Sequence, residues 1–226
     1  MLPIDVGFFS FTEITDPGEH HSYNEWHMLD HMPEQFPLPG VAWGQRWVST
    51  PACRSARSVS APPLDAIHYV TCYFMTEPLD ETLRDFYALG RELARAGRFH
   101  QHRASHLSGP FSRDAIAAAP RVLVRPEAVP FRPHLGVYVV VAPAPVPVDA
   151  LVECAGVAGA WSFTAAGERF AAHPWQPGPR AVTVAYLDDA PLTVAPKIDA
   201  LVRVHDGVEF AGPFETITPW HWDWFD

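Results

Sequence analysis

The feature that most constrains this chain is an internal echo, in which the same landmarks occur twice in the same order. Val6-Gly7-Phe8-Phe9-Ser10-Phe11 opens the first stretch and Leu135-Gly136-Val137-Tyr138-Val139-Val140 the second. Each continues to a small-residue run ending in tryptophan, at Pro39–Trp43 and Gly156–Trp161. Strand-like runs ending in Pro-Leu follow, Tyr69–Leu79 and Val182–Leu192, and each stretch closes on Gly-Pro-Phe, at Gly109–Phe111 and Gly212–Phe214. Prolines cluster between the apolar runs, around residues 62–63, 120–133 and 143–147, where they punctuate rather than continue an element.

Strand runs rich in Val, Phe, Tyr and Thr alternate with helical patterns. The segment Asp80–Ala96 sets Leu83, Phe86, Tyr87, Leu93 and Ala94 on one stripe, and Val194–Val204 is a shorter equivalent. The order is strand, helix, strand, strand, helix, strand, performed twice. The expected fold class is therefore α+β: two tandem ferredoxin-like βαββαβ units, residues 1–126 and 127–226, forming a pseudo-dimeric α/β barrel.

Chemistry concentrates in His20-His21-Ser22-Tyr23-Asn24-Glu25-Trp26-His27-Met28-Leu29-Asp30-His31-Met32-Pro33-Glu34. Ser22 followed by Glu25 reads as a capping box, so a helix is expected to start there. At helical spacing Tyr23, His27 and His31 share a face with Asp30 and Glu34, whereas a core stripe would be aliphatic. Three readings compete. The stripe is a solvated face, or an acid–base constellation in which a carboxylate poises an imidazole. Otherwise His27 and His31 ligate a metal, with His68 or His106 as a third ligand.

Tyr23-Asn24-Glu25-Trp26-His27-x-x-Asp30-His31-Met32-Pro33-Glu34, then Pro39-Gly40-Val41 and Arg46-Trp47, resembles the dimeric α/β-barrel superfamily, and within it the EthD-like proteins. Their helix commonly reads Tyr/Phe-Asn-x-Trp-Tyr-x-x-Glu/Asp-His-x-Pro-Glu before a Pro-Gly turn and a strand carrying Arg. The resemblance implies a pocket between helices and sheet, lined by His31, in a superfamily of cofactor-free decarboxylases, cyclases, lactone isomerases and monooxygenases. Other barrel relatives bind haem. His27 stands where the family has an aromatic residue. The counterpart segment Val148–Cys154 has no histidine, so the first unit is expected to carry the site and the second to be its structural partner.

The rest of the sequence narrows the function class. With 26 acidic against 16 basic residues, the net charge of −10 repels phosphate backbones and anionic membranes. Lys197 is the only lysine, which disfavours Schiff-base chemistry. The opening Met1-Leu2-Pro3-Ile4-Asp5 does not read as a secretory signal, no apolar run reaches membrane length, and Cys53, Cys72 and Cys154 are odd in number and far apart. A cytoplasmic chain with free thiols is expected. No phosphate-cradling or dinucleotide motif occurs.

The expectation is a cofactor-independent lyase, isomerase or cyclase acting on a small aromatic or polyketide-like molecule. His31 serves as general acid or base, Asp30 or Glu34 orients it, and Tyr23 and His27 hydrogen-bond substrate oxygens. Trp26 and Trp43 shape the pocket, with His68 or His106 as a second acid–base group on the strands. His100 and His102 read as decoration of the strand that carries His106. Two alternatives stay open: a metal- or haem-dependent oxidoreductase using His27, His31 or strand histidines, and a non-catalytic small-molecule binder. The partner expected is the substrate alone, with room for a homodimer. The aromatic tail Trp220–Asp226 is expected to dock back over a groove or onto a second subunit.

Overall fold

The computed structural model describes residues 4–165 and 178–226. In chain order the elements begin with β1 (Val6–Ile14), α1 (His20–Trp26), a π-helical turn (His27–His31) and α2 (Met32–Gln35). Next come β2 (Val41–Val48), α3 (Pro51–Ser55), β3 (Val59–Ser60) and β4 (Tyr69–Met75). The long helix α4 (Leu79–Arg95) leads to β5 (Arg103–Ala118). A 3-10 turn, Pro126–Phe131, connects to β6 (Gly136–Ala142), α5 (Val148–Val152) and β7 (Val157–Ala165). The chain finishes with β8 (Ala181–Leu187), α6 (Pro191–Val202) and β9 (Phe210–Thr216).

All nine strands form one sheet, ordered β2-β4-β1-β5-β7-β8-β6-β9-β3, with antiparallel pairing throughout. A further pairing of β2 with β9, Trp47 opposite Thr216 and Val48 opposite Glu215, closes the sheet into a barrel. Closure removes the exposed edges that an open sheet would offer to other chains. The fold is thus α+β, a closed antiparallel barrel with helices packed on its outside.

Strand alternation decides which side chains fill the barrel. On β1, Phe9 and Phe11 point inward; on β4, Val70, Cys72 and Phe74 do so. They meet Val137, Val139, Trp161, Phe163, Val184 and Phe214 from the second half in one continuous core. Phe9 sits edge-on to Phe111 and Phe163 at 5.7 and 5.1 Å. Burying each such side chain contributes about 1.5–3 kcal/mol, so the interior holds both halves together.

The two Gly-Pro-Phe closures pair in the same way: Phe111 lies opposite Gly7 and Phe214 opposite Val137. Gly7 therefore corresponds to Val137 and not to Gly136, so the opening runs of the echo are one residue out of phase. A one-residue slip would send every side chain of the strand to the wrong face, and burial settles the register. The tryptophans of the echo are also not equivalent. Trp161 is buried inside the barrel, whereas Trp43 is 43% exposed.

The outer faces differ in character. Under α5 and α6 the sheet presents Tyr138, Val140, Ala142, Ala160, Ala185 and Ala211, which pack against Leu151, Val194, Ile198 and Val202. Under α1, the π turn and α4 it presents Ser10, Thr12, Thr71 and Tyr73, where a cavity opens. No helix among the described residues is long and apolar enough to cross a membrane.

Candidate active site

The site helix begins earlier than the Ser22 capping box suggests. Asp16 Oδ1 accepts the Gly18 backbone N–H at 3.0 Å, starting a 3-10 turn, Pro17–Glu19, that runs straight into α1. Proline is pre-organised for such a first turn. Ser22 lies inside the helix instead and donates back to the Glu19 carbonyl at 3.1 Å. Over His27–His31 the helix widens to a π turn, a form concentrated at functional sites.

The wider turn separates the predicted polar stripe. Tyr23, Trp26, His27 and His31 line a cavity of about 570 Å³ between the helices and the sheet, within the range of small-molecule sites. Asp30 and Glu34 lie outside it. Both bind Arg98, Glu34 at 2.7 Å, in a clasp on the helix exterior. They do not hydrogen-bond His31, so the expected carboxylate–imidazole pair is not formed.

The other predicted site residues are also dispersed. Trp43 sits at the barrel rim, 6.2 Å from Phe36 and 6.3 Å from Phe131. His68 precedes β4 and accepts the Ile14 backbone N–H on Nδ1 at 3.1 Å, beside His20 and Phe225. His106 meets Glu13 at 2.6 Å. None of the three lines the cavity. His100 and His102 precede β5 rather than alternate along it.

His106 has a structural explanation. The β1–β5 register shifts between Phe11 and Thr12, which lie opposite Leu107 and Ser105, leaving His106 as the extra residue of a bulge. The bulge lets both Ser105 and Ser108 face the cavity, the re-aiming that bulges beside sites perform.

The cavity contains groups that the motif did not reveal. Its floor is the hydroxyl row Ser10, Thr12, Thr71, Ser105 and Ser108, and its walls include Tyr73, Phe86 and Phe99 with Arg103 from the start of β5. Ser10 and Thr12 alternate with Phe9 and Phe11, so a polar outer face was visible in the β1 sequence. Nothing in the sequence marks Arg103 or Phe99.

His27 is buried between two phenols, with Tyr23 Oη 3.1 Å from Nδ1 and Tyr73 Oη 3.5 Å from Nε2. Desolvation pushes its pKa well below the usual value, helped by the charge of Arg46. The same burial pushes the Tyr73 phenol upward. His31 stacks on Trp26, centroids 4.7 Å apart, and its Nδ1 is buried with no hydrogen-bond partner. Desolvation and then the Arg103 charge bring its pKa down to about 4. Both imidazoles are therefore neutral at physiological pH. Behind them Arg46 is buried over the Tyr23 ring and donates to Asn24 Oδ1 at 3.0 Å.

These residues do not fit a metal or haem iron. A ligating histidine ordinarily donates its second ring nitrogen to a carboxylate, carbonyl or water. His31 Nδ1 has no such acceptor, and His27 has phenols against both nitrogens. The candidate third ligands His68 and His106 are elsewhere. Among the described residues, the group able to supply three ligands is Asp16, Glu19 and His102, and none of these lines the cavity.

The tail docks as expected, though not over the cavity. Trp222 is buried with Ile14, Tyr23, Val48 and Tyr69, and Phe225 stacks on His20 at 3.8 Å.

No family model matches the sequence, and no curated protein matches it either. Solved structures do resemble it. A chlorite dismutase-like protein superposes with a TM-score of 0.52 at 11% identity, covering 96% of both chains. An anthrone oxidase-like protein gives 0.47 at 10% identity, covering 95% of this chain and 92% of the other. A monooxygenase-like protein from Fusobacterium nucleatum subsp. nucleatum gives 0.46 at 9%, with 96% and 93% covered. At such identities the likeness is one of fold, and the first of these carries it: this chain has the dimeric α/β-barrel fold.

Proposed function

We propose that the cavity of the first half is the active site of a cofactor-independent lyase, isomerase or cyclase acting on a small aromatic or polyketide-like molecule. The observation that carries this reading is His31, a neutral imidazole whose ring lines an aromatic cavity beside the half-buried Arg103 guanidinium. A neutral imidazole can take a proton from an acidic C–H or O–H of the substrate, and Arg103 lies where it can stabilise the resulting oxyanion. His27, held between Tyr23 and Tyr73, positions phenol hydroxyls toward substrate oxygens. Trp26 and Phe99 provide the faces against which a planar ring stacks.

We also infer that residues 1–126 and 127–226 are duplicated ferredoxin-like units, of which only the first kept a site. The same strand order in each half, β2-β4-β1-β5 and β7-β8-β6-β9, supports this, as do the matching Gly-Pro-Phe registers. The register equates Ser10 with Val140 and Ser108 with Ala211. The position of Thr71, opposite Ser10, is taken by Thr183, opposite Val140. Thr183 uses its hydroxyl to accept the Val146 backbone N–H at 3.2 Å, while the Thr71 hydroxyl is left unpaired.

The test is hydrogen–deuterium exchange of enolisable aromatic ketones, 2-tetralone first, followed by NMR in D2O. The wild-type protein is expected to accelerate exchange, and His31→Gln to lose about 10²–10⁴-fold of that acceleration. Full retention of the rate in His31→Gln would show that proton transfer does not run through this ring.

A further inference from the structure

The cavity wall carries positive charge that no described carboxylate neutralises. Arg103 is half-buried, its guanidinium 4.6 Å from the Phe99 ring centroid and 5.5 Å from that of Trp26. Among the described residues its guanidinium has one hydrogen bond, a long one to Ser105 Oγ at 3.5 Å, and its Nε is buried without a partner. Behind the wall, Arg46 spends one N–H on the neutral Asn24 side chain, and its Nε and Nη1 are buried and unpaired. Neither arginine forms an ion pair with any described residue, although the chain has a net charge of −10. No aspartate or glutamate among the described residues lines the cavity, and Asp30 and Glu34 on the site helix are held outside it by Arg98.

Burying a guanidinium without a counter-charge is costly, and native structures retain such an arrangement where a ligand supplies the missing partner. Two uncompensated cations behind a floor of hydroxyl donors favour an anion. The flanking aromatic faces favour a flat one. Resting on the proposed active site, we infer that the physiological ligand is a planar aromatic anion whose acidic oxygen, of a carboxylate or an ionised enol, sits against Arg103 and the Ser105 and Thr71 hydroxyls. The ligand then does more than fill space: its charge offsets the field of Arg103 on His31 and returns basicity to that ring once substrate is bound.

Binding of three bicyclic aromatic probes, two of them isosteric, to the intact protein tests this without requiring turnover. The probes are 2-naphthoate, 2-naphthamide and the ionised enol of 2-hydroxy-1,4-naphthoquinone, titrated by calorimetry at pH 7.5. The wild-type protein is expected to bind at least one anion tenfold or more tighter than the amide, and the stronger anion identifies the acidic group. Arg103→Gln is expected to abolish that preference, weakening anion binding tenfold or more further than amide binding. Equal or tighter binding of the amide to wild type, or no binding of any probe, overturns the inference. So does an unchanged preference in Arg103→Gln. If that variant does not fold, the anion-against-amide comparison on the wild type still decides. Selectivity for anions with no acceleration of tetralone exchange would leave this inference standing and remove the proposed chemistry, and the reverse result would do the opposite.

Discussion

Four histidines, His20, His27, His31 and His68, are held neutral by burial, and their cost appears in acid. Desolvation, then neighbouring arginine charge, lowers His20 and His31 to about 4 and His68 to about 3. Their unfolded value is 6.5, so below that pH the unfolded chain binds protons that the folded one refuses. Stability from these groups is complete above pH 6.5 and falls as pH drops toward 4. The slope is about 1.4 kcal/mol per pH unit for each histidine. Urea unfolding at pH 7, 6 and 5 is expected to show a steep decline over this window. His68→Asn, which keeps an acceptor for the Ile14 N–H, is expected to remove about a quarter of the slope. Equal stability at pH 7 and 5 would mean that these rings are not buried neutral.

Between residue and fold stands the helix-to-strand turn that aims the site helix. Gly40 has φ +86°, and a Cβ there would lie 2.0 Å from Thr82 Oγ1 on α4. That hydroxyl donates to the Pro39 and Pro78 carbonyls, so the turn is tied to the neighbouring helix. Gly40→Ala adds a strained backbone and a collision at one point. It is expected to cost about 1–3 kcal/mol in chemical denaturation, whereas Gly90→Ala, which meets open space within α4, is expected to stabilise by a few tenths. A loss below about 0.5 kcal/mol at Gly40 would mean that the turn relaxes freely. The π turn works at this same scale: it turns His27 and His31 into the cavity while Asp30 and Glu34 stay outside with Arg98.

For the whole molecule, the barrel is closed across two seams of unequal strength. β5 pairs with β7 over Phe111–Ala118, whereas β2 meets β9 only at Trp47 and Val48. The shorter seam is reinforced by Thr50, which donates to Glu215 at 3.0 Å. Either half alone would expose the aromatic interior that both now fill. The fragment 1–126 is therefore expected to self-associate or aggregate rather than remain a folded monomer, measured by light scattering after gel filtration. A monomeric fragment with a sharp thermal transition would show that the halves do not depend on a shared core.

Strand and helix periodicity, read along the chain, was enough to locate α4, α6 and the αβ alternation, because burial on one face imposes its period on the sequence. It also marked the helix of Tyr23, Trp26, His27 and His31, since imidazoles and phenols on a helix face are unusual. Tertiary structure decided the rest. Asp30 and Glu34 pair with Arg98, far along the chain, and a spacing rule based on α-helical turns cannot anticipate a π turn. Strand phase chose between the two faces of β4, sending Thr71 and Tyr73 to the cavity and Cys72 to the barrel. Arg103 has no local signature. Its proposed role comes from being half-buried beside His31 with no described counter-ion, and charge balance inside a cavity is a property of everything that surrounds it rather than of any segment.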